Sequence, residues 1–364
     1  MASAFILTVS DCIKYMIVSS LNTEAFSLRI HVLKMKSGFL SSNGTEQSDK
    51  FVCEHTVSMG LKMVPFAPSV MFQVVSILLC IINGLLCPIT VTGNLLVFAA
   101  VLRKTDLRTV ANTSILCLAF TDLLVGLFVQ PCYLVYQASK LAAGPHDFPC
   151  VQLLIYSFLG VICICMSFLT LILISLERYM AVFYPYRYIE KVNTKRVIAL
   201  AVTSWCVSIT VLLVVRFVFG INSNEETGVI SLIIVTNFVV TSFVYFRIFR
   251  LVKRCNAQVS VEMSHNTTTS GSPPTQMQSN SNEAKASKTV AFIAGTLFLC
   301  FAPTLCATIV DQAGVARKDL LYHVIYPIAE TVVLLNSCIN PGIYVWRCQG
   351  IRQSLVELTQ TCKR

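Results

Sequence analysis

The chain has 364 residues, of which 55% are hydrophobic and 13% charged, with a formal net charge of +10. A soluble domain carries about a quarter charged residues, so this composition excludes an ordinary soluble globular protein and belongs to the membrane class. In that class a basic balance reflects Lys and Arg gathered on the cytoplasmic side, not a nucleic-acid partner.

Residues 1–69 hold no stretch long enough to cross a bilayer, and a cleavable signal peptide is not evident, because "AFILTV" is short and has no basic residue before it. Seven charge-poor stretches follow, at approximately 70–102, 108–137, 149–177, 197–219, 227–248, 286–310 and 321–346. Each is about as long as the roughly 20 residues that a bilayer core requires. The connections containing Arg103, Lys104, Arg108, Arg187, Lys191, Lys195, Arg196, Arg250, Lys253, Arg254, Lys285 and Lys288 are strongly basic. The opposite set, with Lys140, Asp147, Glu225, Glu226, Asp311, Arg317, Lys318 and Asp319, is nearly balanced. The first set is therefore expected in the cytoplasm and the N-terminus outside. That orientation makes "NGT" at Asn43 a usable glycosylation acceptor.

Between spans five and six, residues 255–283 are rich in Ser, Thr, Asn and Pro and poor in apolar residues, which predicts a disordered third cytoplasmic loop. After the last span, Ile351, Leu355 and Leu358 share one helical face beside Arg352, so residues 347–364 are read as an amphipathic helix in the membrane interface and a tail. The organisation expected is an extracellular segment 1–69, an all-α seven-helix domain 70–346 and this short eighth helix. Most of the sixteen cysteines lie inside apolar runs and act as small hydrophobes, so they form no disulfide framework.

A polar group inside a span is costly and marks a functional site by default. Asp122 is the carboxylate of span two, and Asn94, Ser167, Asn336, Ser337 and Asn340 are its polar company on other spans. Such an oxygen-rich surround can hold a small hard cation such as sodium; it can equally be interhelical hydrogen-bond glue. No resident cofactor is implied beyond that ion.

Four short motifs follow one another in matching spans: "GN" at 93–94, "LAFTD" at 118–122, "ERY" at 177–179 and "NPGIY" at 340–344. With Trp205, Pro185 and Tyr245 they resemble the rhodopsin-like family of G protein-coupled receptors over residues 70 to about 358. The resemblance implies a multi-pass plasma-membrane receptor that takes an extracellular ligand and acts on heterotrimeric G proteins by outward movement of span six. It implies that Arg178 ends span three, held by Glu177 and by an acid on span six that Glu283 matches. It further implies that Tyr179, Pro185 and Tyr186 face the Gα subunit, that Tyr245 and Tyr344 stabilise the open cleft, and that Phe301, Pro303 and Pro341 belong to the activation switch.

The departures matter too. Phe301 stands where the family usually has Trp, Asn237 where span five usually has Pro, and "GINSNEETG" lacks the cysteine of the family's extracellular bridge. Cys150 is then either paired with Cys53 or free. Gly160 matches the position of the aspartate in biogenic-amine receptors, and Leu334 that of the opsin lysine. The resemblance thus leaves Gln130, Tyr133, Gly160, Tyr326 and Glu330 as the ligand pocket. Arg216, Asp311 and His323 are further candidates for that vestibule. Glu330 either binds a cationic ligand or pairs internally with Arg216. No enzyme motif is present. A small transporter or a receptor-like protein without a G protein is the alternative reading, separated by nucleotide exchange on Gα against solute flux.

Overall fold

The computed structural model describes residues 69–142, 149–217, 275–314 and 316–361, with short helical pieces between 235 and 250; of 275–288 it describes the backbone alone. Most of span five, with Tyr245 and Asn237, and also Asn43 and Cys53, together with the side chains of Glu283 and Arg216, lie outside the described residues.

Eight helices carry the description: α1 (Val70–Arg103), α2 (Val110–Ala142), α3 (Cys150–Phe183), α4 (Pro185–Lys191), α5 (Thr194–Phe217), α6 (Thr275–Ala313), α7 (Lys318–Arg347) and α8 (Gln349–Thr361). Among the described residues, six of the predicted spans are helices long and apolar enough to cross a membrane. A helix satisfies all of its own backbone groups, which is what lipid demands. The outward faces are apolar, with Leu299, Leu85, Ile81 and Val70 exposed. The polar residues Asn83, Asn94, Asp122 and Gln130 are fully buried.

Small residues let the helices approach closely. A Cβ on Gly93 would meet the Pro341 ring at 3.1 Å, and one on Gly126 would meet Val91 Cγ2 at 2.9 Å. The inner half is sealed by a cluster including Val97, Leu118, Phe168, Leu171, Leu297, Phe301 and Tyr344, on which Ile351 of α8 also packs. Buried Ser354 donates to the Ala100 carbonyl at 3.0 Å and fastens α8 to α1. On α5, Trp205 Nε1 donates to Thr170 Oγ1 at 3.0 Å and anchors that helix to α3.

Two helices break their regular ladder. In α2 the Gln130 N–H bonds five residues back to Val125, giving a π-turn over Val125–Val129; in α7 Tyr326 does the same to Leu321 over Leu321–Ile325. Each turn ends two residues before a proline, Pro131 and Pro327. A proline has no N–H to give and crowds the carbonyl four residues back, so the ladder relaxes just upstream by taking in one extra residue.

Three boundaries differ from expectation. Helix α2 continues to Ala142, five residues past the predicted end, and Lys140 is inside it, 1% exposed. Helix α3 runs six residues beyond Glu177, because that acid and Arg178 are paired and the helix need not stop to solvate them. Helix α6 begins at Thr275, so the last nine residues of the loop predicted over 255–283 are helical. In the sequence Pro273 and Pro274 precede this start, and no Gly or Pro then occurs before Gly295.

Candidate functional site

Three polar centres are stacked through the bundle. Near the C-terminal end of α3, Glu177 and Arg178 are both buried and joined in an ion pair. The acid has two further partners: Ser114 Oγ donates to Oε2 at 3.0 Å and the Tyr188 hydroxyl to Oε1 at 2.6 Å. Tyr188 sits on α4, the loop helix that Pro185 opens at its first position, where a missing N–H costs nothing. Its neighbour Tyr186 is 80% exposed. Tyr179 stacks on Phe183 at 4.5 Å. Tyr188 was not singled out from the sequence, where it reads as one more interfacial aromatic.

In the middle, Asn340 Nδ2 donates to Asp122 Oδ2 at 2.8 Å, tying α7 to α2. Asn94 reaches the Ser337 carbonyl at 3.1 Å, and Ser167 donates to Thr121 at 3.2 Å. Asp122 Oδ1 and the side-chain carbonyl oxygens of Asn94, Asn336 and Asn340 are buried with no hydrogen-bond partner. Buried oxygens left over in this way are uncommon in native proteins and need an explanation. A carboxylate with amide oxygens is the donor set that suits a hard monovalent cation, so these residues fit the sodium ion named above. Below them Phe301 packs on Phe168 with ring centroids 4.8 Å apart, while Pro303 lies inside α6. Tyr344 is wholly buried in the inner cluster, its hydroxyl without a partner.

The outer centre lies above the π-turn of α2. Tyr133 donates to the Pro327 carbonyl at 3.2 Å and approaches Thr331, whose hydroxyl also receives Asn83 of α1 at 2.9 Å. Tyr133 and Tyr156 are tilted rings 5.1 Å apart. Glu330 on α7 lies within electrostatic range of Tyr133, Tyr136, Tyr156 and Tyr326, and of Lys140, which the sequence put in a loop. The Arg216 side chain, the internal partner weighed for Glu330, lies outside the described residues. Tyr326 sits against Tyr322, which bonds Asp311 at 2.8 Å, and His323 is buried against Phe72. Gly160 leaves open space, since a Cβ there would meet only Val129 at 4.0 Å. At the foot of α3, on the outer side, Cys150 is joined in a disulfide whose other half lies outside the described residues, which removes the free-thiol alternative.

A helical bundle with a buried acid–arginine pair at one end and a cluster of buried polar side chains toward the other is the architecture of a seven-span receptor. Residues 93–344 match the family described as the 7 transmembrane receptor (rhodopsin family), and the chain belongs to that family. It is similar to the histamine H2 receptor of Homo sapiens, 31% identical over 288 residues, covering 74% of this chain and 75% of that receptor. The histamine H2 receptor of Cavia porcellus is 30% identical over 293 residues, 75% and 77% of the two chains. Trace amine-associated receptor 1 of Mus musculus is 24% identical over 302 residues, 73% and 83%. The protein is therefore a multi-pass G protein-coupled receptor and not an enzyme, and the transporter alternative finds no support in these matches.

Proposed function

We propose that the receptor lies in the plasma membrane with its N-terminus outside, binds a small extracellular ligand among Gln130, Tyr133, Gly160, Tyr326 and Glu330, and activates a heterotrimeric G protein at the inner end of α3. The observation that carries this reading is the buried arginine: Arg178 is 2% exposed and held by Glu177, which Ser114 and Tyr188 hold in turn. A charge kept out of water on one acid is a stored contact, available to another partner once the helices part. In this reading α6 swings outward and releases Arg178 to the C-terminal helix of Gα. Tyr344 leaves the inner cluster to line the open cleft with Tyr245, and Tyr186 meets the Gα surface from α4. Phe301 and Pro303 carry the movement, Glu283 restrains it from α6, and Asp122, Ser167, Asn336 and Asn340 hold a sodium ion that favours the closed form.

The named relatives are receptors for histamine and for trace amines. Here the matching span-three position is Gly160, so Glu330 is a carboxylate left for a ligand in the outer half. The test is ligand-stimulated nucleotide exchange on purified Gα. Arg178→Ala should reduce exchange by roughly tenfold to a hundredfold, the value of a charge-assisted contact, while ligand binding persists. Exchange undiminished in Arg178→Ala, at matched surface expression, would remove the arginine from the switch.

A further inference from the structure

Where α1, α7 and α8 meet, the bundle is hollowed into a groove of about 470 Å³, a volume in the range of small-molecule sites. Leu96 of α1, Trp346 of α7 and Leu355 of α8 form its walls, Gly93 and Gly342 lie between them, and Arg352 of α8 brings a charge to it. Leu96 and Trp346 are 47% and 61% exposed, so the groove opens outward, on the face that lipid covers in a multi-pass protein.

Gly342 shows that the groove is more than a gap between helices. A glycine inside a helix destabilises it relative to alanine, and the usual compensation is a neighbour that the missing Cβ lets in. Gly93 has such a neighbour in the Pro341 ring, but a Cβ on Gly342 would meet nothing within 4 Å. The space kept open at Gly342 serves no contact among the described residues. It serves something that arrives from the lipid side.

The charges nearby select the headgroup. Helix α8 carries one acid and one base, Glu357 and Arg352. The acid already holds Lys104 at 2.7 Å. Arg347, at the end of α7, lies over the rings of Trp346 and Phe292, 5.3 and 5.2 Å from their centroids. Arg352 is exposed and has no ion pair among the described residues. Its guanidinium is a planar fork that suits phosphate, and an exposed tryptophan such as Trp346 settles at the level of lipid headgroups. A choline lipid offers a phosphate with its own cation attached, so an unpaired arginine favours a lipid of net negative charge.

We propose that this groove holds one anionic glycerophospholipid from the leaflet in which α8 lies, its phosphate on Arg352 and one acyl chain along Gly342 between Leu96 and Trp346. The site requires the multi-pass fold but neither an agonist nor a G protein.

The full-length receptor in a neutral detergent is titrated with dioleoyl phosphatidylserine or dioleoyl phosphatidylcholine, and native mass spectrometry counts the lipid retained. One equivalent of the serine lipid should be held at a concentration about fivefold below that of the choline lipid, the worth of one basic residue at a membrane surface. Arg352→Gln should erase that preference. Arg187→Gln, which removes an exposed arginine from α4, should leave it intact. Gly342→Leu should abolish retention of both lipids; its side chain has room and favours the helix, so a lost lipid does not reflect a lost fold. No preference between the two lipids, or one that survives Arg352→Gln, would overturn the site. An equal loss in Arg187→Gln would overturn it too, by reducing the effect to general surface charge. Undiminished retention in Gly342→Leu would do the same, and a shift of that variant from dimer to monomer would give the groove to a second copy of the chain instead.

Discussion

The two ends of the helix bundle treat their polar groups in opposite ways. At the inner end both charged groups of the α3 centre are partnered: Arg178 by Glu177, and Glu177 also by Ser114 and Tyr188. At the outer end the side-chain amides of Gln130 and Gln137 are buried with no hydrogen-bond partner among the described residues. Satisfied networks rigidify, whereas unsatisfied ones are costly until something fills them. The inner end is thus a closed latch and the outer end a receptacle, joined by the Asp122–Asn340 contact midway.

Substitutions can break that contrast in graded steps. The largest effect is expected at Gly126, which allows α1 against α2 where the π-turn begins to aim Gln130 and Tyr133. Gly126→Val would push on Val91 and Thr90, now 2.9 and 3.1 Å from a Cβ position. Overpacking of this kind costs about 1–3 kcal/mol, seen as a lower thermal midpoint, with ligand response lost before basal exchange. An unchanged midpoint would mean that the helices part freely and the outer half is not rigidly held.

Asp122→Asn comes next, because it acts on the joint between the ends. Sodium should cease to alter agonist affinity, and signalling should weaken. The same sodium dependence in wild type and variant would reduce Asp122 to hydrogen-bond glue. Tyr188→Phe removes one bond from Glu177 and loosens the latch alone. A loss of about 1 kcal/mol corresponds to about a fivefold rise in basal exchange. Basal exchange that stays level would show that Ser114 suffices to hold the acid. The smallest change is expected at Lys104, whose 2.7 Å contact with Glu357 is exposed on both sides. Lys104→Ala should alter stability by less than about 0.5 kcal/mol, and a larger drop in midpoint would make α8 a structural strut rather than an accessory.

The inner latch was legible in the sequence and the receptacle was not, for a physical reason. "ERY" and "NPGIY" keep their chemistry in short, contiguous runs, so Arg178, Asp122 and Asn340 were found together before any coordinates. Lys140 was misplaced because a lysine after an apolar run usually marks the membrane edge, and only tertiary burial shows otherwise. Glu330 was found, but the lysine within its electrostatic range lies 190 residues earlier in the chain, which no local pattern reveals. Asn83 and Tyr188 were hidden in a similar way, each polar group looking ordinary until its distant acceptor is seen. The π-turns did leave a trace, Pro131 and Pro327, each set inside an otherwise continuous span.

The turn at Val125–Val129 has a further consequence for how such a receptor can change its ligand. One residue advances a helix by about 100°, so the single extra residue acts as a gear between two parts of one rod. The lower cog is meshed to Asn340 through Asp122, while the upper presents Gln130, Tyr133, Gln137 and Lys140. Dropping one residue there would re-clock the whole upper face by more than a quarter-turn and swing an ammonium toward lipid, leaving the lower teeth engaged. Recognition and transmission can therefore diverge along the same helix, the first by indels as small as one codon and the second hardly at all.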